Sequence, residues 1–261
     1  MQARTSWQIQ KAVFFALFRR ELQTRFGGYR LGYFWALIEP LSHIIMLSAL
    51  FSLIRSDNEI YRAPFPVFFA LGILSFFIFQ KIAVNGQNSI RVNLGLFCYR
   101  QVKPFDSIVV RAFIDFCVYL LAIFFLALIG GWFFEYQVMP VDPLKSLLVL
   151  MLLFILGLGV SFFTAVIGVL YEEWSQFIGI ALRPMYFISG IFFPLAALPE
   201  RLHVYLLWNP ILHGVEALRG AWIVGYPAEK VSILYLAAWA LSILFLGMSY
   251  YRSNRVNVLM S

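Results

Sequence analysis

The chain has 261 residues, 62% of them hydrophobic and 13% charged, with a net charge of +7 and a mean hydropathy of +0.82. Soluble domains hold roughly 45–50% apolar and about 25% charged residues, so this balance excludes a soluble enzyme and a nucleic-acid-binding fold with a solvated basic face. What remains is an all-α polytopic membrane protein, a single domain over 1–261 whose polar stretches are only short loops.

Residues 7–26 place Phe14, Leu17, Phe18, Leu22 and Phe26 at helical spacing with Lys11, Arg19, Arg20 and Gln23 between them, which predicts an amphipathic helix lying in the membrane interface, apolar side among acyl chains. Gly27 and Gly28 break it before the chain enters the bilayer. No basic tip, short apolar core and cleavage site opens the chain, so insertion is expected to rely on the first span.

Apolar windows then predict six spans, near 34–54, 65–83, 107–134, 144–170, 174–194 and 229–250. The first carries Glu39 and His43. Glu39 either snorkels or pairs with a nearby arginine at the interface, or it lines a polar pathway. One side of the predicted topology collects Arg4, Lys11, Arg19, Arg20, Arg25, Arg30, Lys81, Arg91, Arg100, Lys103, Arg111, Arg252 and Arg255, with Arg183 inside a span. The other side has only Arg55, Arg62, Lys145, Arg201, Arg219 and Lys230, so both termini are expected in the cytoplasm.

Between the second and third spans, 85–103 is polar and basic, with Ile90, Leu94 and Phe97 at i, i+4 and i+7. The spacing predicts a short amphipathic helix with an apolar side facing a partner protein, ended by Pro104, with Asp106 placed to cap the next helix. The third helix would measure about 42 Å, more than an apolar core requires, and must project or tilt. On it Arg111 and Asp115 are four apart and are expected to neutralise each other.

The fifth span holds Arg183-Pro184 near its middle. Proline kinks the helix there, and the cation either lines a pathway or pairs with Glu172, Glu173 or Asp115. Beyond it, Pro194, Pro199 and Pro210 punctuate apolar pieces too short to cross. They read as two re-entrant helices within 195–225, with Asn209-Pro210 as the turn and Glu216 and Arg219 as a pair. Cys98 and Cys117 form no disulfide or metal framework.

The chain lacks GxxxxGK[ST], HExxH, GxSxG and clustered Cys/His ligands, so no catalytic residue and no metal site is expected, and any ATP must be used on another chain. Ser189-Gly190 with His203 and His213 superficially suggests an intramembrane serine hydrolase; Phe187, where a glycine is needed, argues against it. Tyr29, Tyr33, Trp35, Tyr186 and Trp208 suit either sugar stacking or the membrane interface.

Four ordered motifs carry a resemblance. They are Arg25-Phe26-Gly27, Arg30-Leu-Gly-Tyr33, Trp35-Ala36, Glu39-Pro40 and His43; Asn93, Gly95-Leu-Phe97, Tyr99-Arg100, Val102-Lys-Pro104 and Asp106; Tyr186-Phe-Ile-Ser189 with Phe193-Pro194; and Tyr205-Leu-Leu-Trp-Asn-Pro210, His213, Glu216 and Arg219. Together they resemble ABC-2 type permeases that export capsular polysaccharide, over nearly the whole chain. The resemblance implies a homodimer in the bacterial inner membrane, each copy bound to a nucleotide-binding ABC ATPase subunit that holds ATP and Mg. It also implies a periplasmic polysaccharide co-polymerase, an outer-membrane exporter and a phospholipid-linked acidic polysaccharide with a short Kdo linker.

On this resemblance Arg19, Arg20, Arg25, Arg30, Tyr33, Trp35, Glu39, His43, Arg183 and Tyr186 would meet substrate or lipid headgroup. Arg91, Leu94, Phe97, Tyr99, Arg100 and Lys103 would couple to the ATPase, and Trp208, Asn209, Pro210, His213, Glu216 and Arg219 would form a periplasmic gate. The family pattern allows lysine at 183, so the site needs a cation and not a guanidinium fork. Alternatives are an ABC-2 exporter of another glycan, such as O-antigen or teichoic acid, and a lone membrane enzyme or secondary carrier. A carrier would be expected to show an inverted repeat, which the sequence lacks.

Overall fold

A computed structural model describes residues 5–26, 32–54, 59–61, 63–136 and 139–260, and leaves the side chains of 26, 32–37, 172, 174–176, 259 and 260 undescribed. Among the described residues the fold consists of helices and connecting turns with one minimal hairpin. Helix α1, Ser6–Phe26, opens with a capping box: Thr5 Oγ1 accepts the Gln8 N–H at 3.4 Å while Gln8 Oε1 accepts the Thr5 N–H at 3.1 Å. Helix α2 spans Gly32–Ile54 and accommodates Pro40 within it. The hairpin β1, Glu59–Ile60, and β2, Ala63–Pro64, pairs Glu59 with Pro64 and Ile60 with Ala63, a feature too short to show as strand alternation. Helix α3, Phe65–Gly86, follows at once.

Helix α4, Pro104–Phe133, has 30 residues and so is about 45 Å long. Asp106 does cap it, but from the third helical position, where Oδ2 accepts the Lys103 N–H at 3.0 Å; Pro104 occupies the first position, where its missing N–H costs nothing. Asp142 caps α5, Pro143–Leu170, by accepting the Lys145 N–H at 2.9 Å. Then come α6, Glu172–Ala181; α7, Arg183–Ile188; α8, Glu200–Leu206; α9, Pro210–Trp222; and α10, Ile233–Met260.

Among the described residues four helices are long and apolar enough to cross a membrane: Phe65–Gly86, Pro104–Phe133, Pro143–Leu170 and Ile233–Val258. Of the other two expected spans, α2 is one continuous helix of 23 residues over Gly32–Ile54, and the fifth departs from a simple rod. In α2 the described apolar stretch is Ile38–Ile54. The fifth, expected over 174–194, is broken into α6 of 10 residues and α7 of 6, neither able to cross alone. The break falls at Leu182, one residue ahead of Arg183-Pro184, so the proline sits in the first turn of α7 and its missing N–H interrupts the ladder of a continuous helix. The last helix begins and ends later than the 229–250 expected, because Pro227 and the turn through Ala228 to Val231 hold the chain out of helix until Ile233.

Helix α3 is the axis of the core: Phe68, Phe69, Phe76, Ile73 and Ile78 are fully buried, against Ala112 and Phe116 of α4, Val149 and Leu153 of α5 and Val215 of α9. Helix α10 lies along α5 at a backbone contact that only glycine permits. A Cβ on Gly159 would strike the backbone of Ile243 and Leu244, and Gly247 lies against the Gly159 carbonyl. Helix α1 turns its apolar face onto α4 and not outward to acyl chains as expected. Val13 and Leu17 are buried against Val110 and Ile114, and Phe14 meets Phe113 at 6.0 Å, ring to ring. Leaving water contributes roughly 1.5–3 kcal/mol per such side chain whether acyl chains or protein cover it, and the polar contacts of Gln10, Arg20, Glu21 and Arg25 with Asp106, Asn93, Arg111 and Asp115 favour the protein.

The amphipathic helix expected over 85–103 is also corrected. Helix α3 runs on to Gly86, and the remainder is one 3₁₀ turn, Arg91–Leu96, between irregular turns. Period three replaces period 3.6 there, so Ile90, Asn93 and Leu96 turn toward the protein while Val92 and Leu94 point out, and Phe97, just past the turn, packs with Ile90 beside Ile108, Phe162 and Tyr251.

Candidate functional site

A groove of about 460 Å³ opens between α2, α3 and the α6–α7 break. Helix periodicity builds its walls. Glu39 and His43 are one turn apart on α2, Phe77, Lys81 and Asn85 recur every four residues on α3, and Arg183 and Tyr186 share a face of α7. Lys81 Nζ donates to both carboxylate oxygens of Glu39, at 2.6 and 2.7 Å, and lies 5.6 Å from the Phe77 ring centroid. Glu39 therefore pairs with a lysine of the next helix and not with a nearby arginine. The Tyr186 hydroxyl and His43 Nδ1 are 3.4 Å apart, and Tyr186 is packed edge-on to Phe76 and Phe192. Arg183 lines the same groove, exposed, and among the described residues forms no ion pair with Glu173 or Asp115, while the side chain of Glu172 lies outside the described residues.

At the end of the groove Asn85 Nδ2 donates to Asp115 Oδ2 at 3.0 Å, and Asp115 is in turn paired with Arg25 of α1 at 2.5 Å. Arg111 pairs with Glu21 of α1 at 3.2 Å. The expected Arg111–Asp115 neutralisation is thus replaced by two pairs across the α1–α4 seam, since α1 lies close enough to offer each residue an oppositely charged partner. Arg20 donates to Asn93 Oδ1 at 2.7 Å, and Asn93 Nδ2 donates to the Ser89 carbonyl at 2.8 Å. Of the basic residues expected to meet headgroups, Arg20 and Arg25 are turned into the protein, Arg19 is exposed, and Arg30 lies outside the described residues, as do the side chains of Tyr33 and Trp35. Lys81, Asn85, Glu21 and Asn93 complete this polar chain. The four-residue recurrence of Phe77, Lys81 and Asn85 is the signal that finds two of them.

The expected coupling residues divide. Leu94 and Tyr99 are exposed beside Val92, Arg91, Arg100 and Lys103 are exposed around them, and Phe97 is partly buried in the protein's own cluster. Val92 was hidden by reading the segment with the α-helical period.

The residues expected to gate the opposite end form a buried brace. Asn209 caps α9 through the Ile211 N–H at 2.9 Å and donates to the Ile188 carbonyl and Ser189 Oγ; Pro210 is the first residue of that helix. Arg219, fully buried, donates to the carbonyls of Gly190 at 2.6 Å and Ile191 at 2.9 Å and to Glu216 at 3.0 Å, and its guanidinium lies 3.6 Å from the Phe68 ring centroid. Glu216 also accepts from the Tyr226 hydroxyl at 2.9 Å and the Leu195 N–H at 3.3 Å. His213 Nε2 donates to the Leu207 carbonyl at 2.8 Å while Nδ1 accepts the Ser232 N–H at 3.0 Å. Trp208 is exposed.

The serine hydrolase alternative fails on this geometry. Ser189 Oγ donates to the Met185 carbonyl and accepts from Asn209, and His203 is engaged by the Leu198 carbonyl and Lys230, so neither histidine is positioned to take the serine proton.

The described residues form an all-α bundle with apolar helices long enough to cross a membrane and a charged groove between α2, α3 and the α6–α7 break. Residues 12–223 match the family described as ABC-2 type transporter, and the chain belongs to that family. It is 40% identical to the polysialic acid transport protein KpsM of Escherichia coli over 99% of this chain and all of the relative. It is 29% identical to the capsule polysaccharide export inner-membrane protein CtrC of Neisseria meningitidis serogroup A, covering 92% of this chain and 90% of the relative. With BexB of Haemophilus influenzae, which bears the same description, identity is 26% over 93% and 91%.

Proposed function

We propose that this chain is the permease subunit of an ATP-driven exporter that carries a lipid-linked acidic capsular polysaccharide across the bacterial inner membrane. The observation that carries the reading is the similarity, over nearly the full length of both chains, to a polysialic acid transport protein. Two copies form the channel. Each crosses six times, by α2, α3, α4, α5, the α6–α7 pair and α10, with both termini cytoplasmic, as the distribution of Lys and Arg favours. Helix α1 lies at the cytoplasmic surface, and α8 and α9 dip into the outer leaflet and return, a gate braced by Arg219 and Glu216.

ATP is bound and hydrolysed, with Mg, on a separate nucleotide-binding subunit that docks on the exposed Val92, Leu94 and Tyr99 of the 3₁₀ segment. The groove holding Arg183 and Tyr186 admits the acidic substrate, its exposed cation attracting anionic groups. A periplasmic co-polymerase and an outer-membrane exporter continue the route.

The test is ATP hydrolysis by the permease–ATPase complex in lipid nanodiscs, with and without an acidic lipid-linked glycan. Stimulation by the glycan that is lost in Arg183→Ala supports the reading, and a chain that binds no ATPase subunit overturns it.

A further inference from the structure

Two carboxylate–cation pairs in this molecule have opposite characters. Glu216 and Arg219 are 1% and 0% exposed, and further bonds from Tyr226, Leu195, Gly190 and Ile191 hold them, so that pair is permanent. Glu39 and Lys81 are 45% and 27% exposed, and the hydrogen bonds of both side-chain charges are spent on each other. Such a pair sits in water-accessible surroundings where its net attraction is small, and another anion competes with the carboxylate on nearly equal terms. It also lies in the groove that presents Arg183, which has no counter-ion among the described residues.

We propose that Lys81 is a ligand-binding cation whose resting counter-ion is Glu39. An anionic group entering the groove, a sugar carboxylate or a lipid phosphodiester, takes the place of Glu39 on Lys81, while Arg183 on the α7 wall attracts it from the other side. The inference rests on the groove being the substrate path. It adds a device for selectivity: a neutral polymer offers nothing to replace the carboxylate, so the bridge between α2 and α3 stays closed to it, whereas an acidic polymer opens the bridge by exchange. It also explains a carboxylate in a wall that would otherwise repel the cargo. Glu39 keeps Lys81 from holding a stray anion permanently, and it returns when the ligand moves on.

The experiment measures binding of two probes to the full chain in nanodiscs of zwitterionic lipid at low salt: fluorescent oligosialic acid, and phosphatidylglycerol titrated into the bilayer. Glu39→Gln preserves shape and uncovers Lys81, so it is expected to tighten binding of the recognised probe about 2- to 5-fold. Lys81→Gln is expected to weaken it by a similar factor, and the Glu39→Gln/Lys81→Gln double variant to bind like Lys81→Gln alone. Whichever probe follows this pattern identifies the source of the anion. Lys81→Met replaces Lys81→Gln if the latter does not purify as a monodisperse protein. Unchanged or weaker binding by Glu39→Gln overturns the proposal. So does a double variant still tighter than Lys81→Gln, because the gain is then a general field effect and not exchange at Lys81. Failure of the underlying functional reading looks different: wild type and Arg183→Ala alike bind neither probe. If wild type binds, Arg183→Ala loses binding and Glu39→Gln changes nothing, only the exchange at Lys81 is wrong.

Discussion

Arg25 near the end of α1 meets Asp115 of α4 at 2.5 Å, and one turn earlier Glu21 of α1 meets Arg111 of α4 at 3.2 Å. The polarity of the two pairs is crossed: α1 gives a cation to one and an anion to the other, so the seam closes in only one register. Reversing a single member leaves two like charges facing each other in a largely buried seam. Glu21→Arg or Arg111→Glu is therefore expected to lower stability by about 3 kcal/mol, near the lower end of the cost of breaking a buried pair. The double reversal is expected to recover more than half of that. Thermal unfolding in detergent of the two singles and the double reads the coupling, and strictly additive losses would show the pair to be incidental.

Much of this architecture is legible in the sequence. Apolar runs mark α3, α4, α5 and α10, Arg183-Pro184 marks the break in the fifth span, and the spacing of Glu216 and Arg219 gives their pairing. Those signals are local, within a turn or a span. The Lys81–Glu39 bridge joins residues 42 apart, and the partners of Arg111 and Asp115 come from another helix, although a plausible partner stood four residues away. Local spacing cannot rank a neighbour on the same helix against one delivered by packing. The 3₁₀ turn has a related cause: Ile90, Leu94 and Phe97 fit an α-helix by spacing, and only the burial of Asn93 three residues after Ile90, with Leu94 turned outward, marks the other period.

Gly72 is where α3 makes room for the Arg219 guanidinium: an added Cβ would sit far inside contact distance of Nη2. The guanidinium cannot retreat, because Gly190, Ile191 and Glu216 hold it. Gly72→Ala is expected to cost about 1–3 kcal/mol by overpacking. Arg219→Lys is expected to cost about as much or more, since one ammonium cannot serve the same fork of acceptors. The check is loss of monodisperse protein on gentle heating in detergent, and a Gly72→Ala protein as stable as wild type would mean that the brace can shift.

The exposed and the buried apolar residues of the 3₁₀ segment should separate partner binding from folding. Leu94 is exposed, so Leu94→Asp is expected to leave the isolated chain as stable as wild type, within about 0.5 kcal/mol as for surface changes, while reducing co-purification of the ATPase subunit at least several-fold. Phe97 packs on the cluster around Phe162, so Phe97→Asp is expected to reduce stability of the permease itself by burying an uncompensated charge. Pull-down yields set beside melting curves decide the matter, and retention of the ATPase by a well-folded Leu94→Asp protein would place the docking surface elsewhere.

Arg183 offers the groove a charge without a specific acceptor geometry, since no partner among the described residues fixes its guanidinium. A role as an attracting cation requires only the charge, and a role in bidentate recognition requires the planar fork. Arg183→Lys is therefore expected to keep at least about half of export, whereas Arg183→Ala, which removes a charge that has no counter-ion among the described residues, is expected to lose tenfold or more, the equivalent of about 1.4 kcal/mol. Surface display of the acidic polysaccharide in cells carrying each variant at equal membrane level is the measurement. Equal loss in the lysine and alanine variants would show that the guanidinium shape is what the substrate reads, and export unchanged in the alanine variant would make Arg183 a bystander in the groove wall.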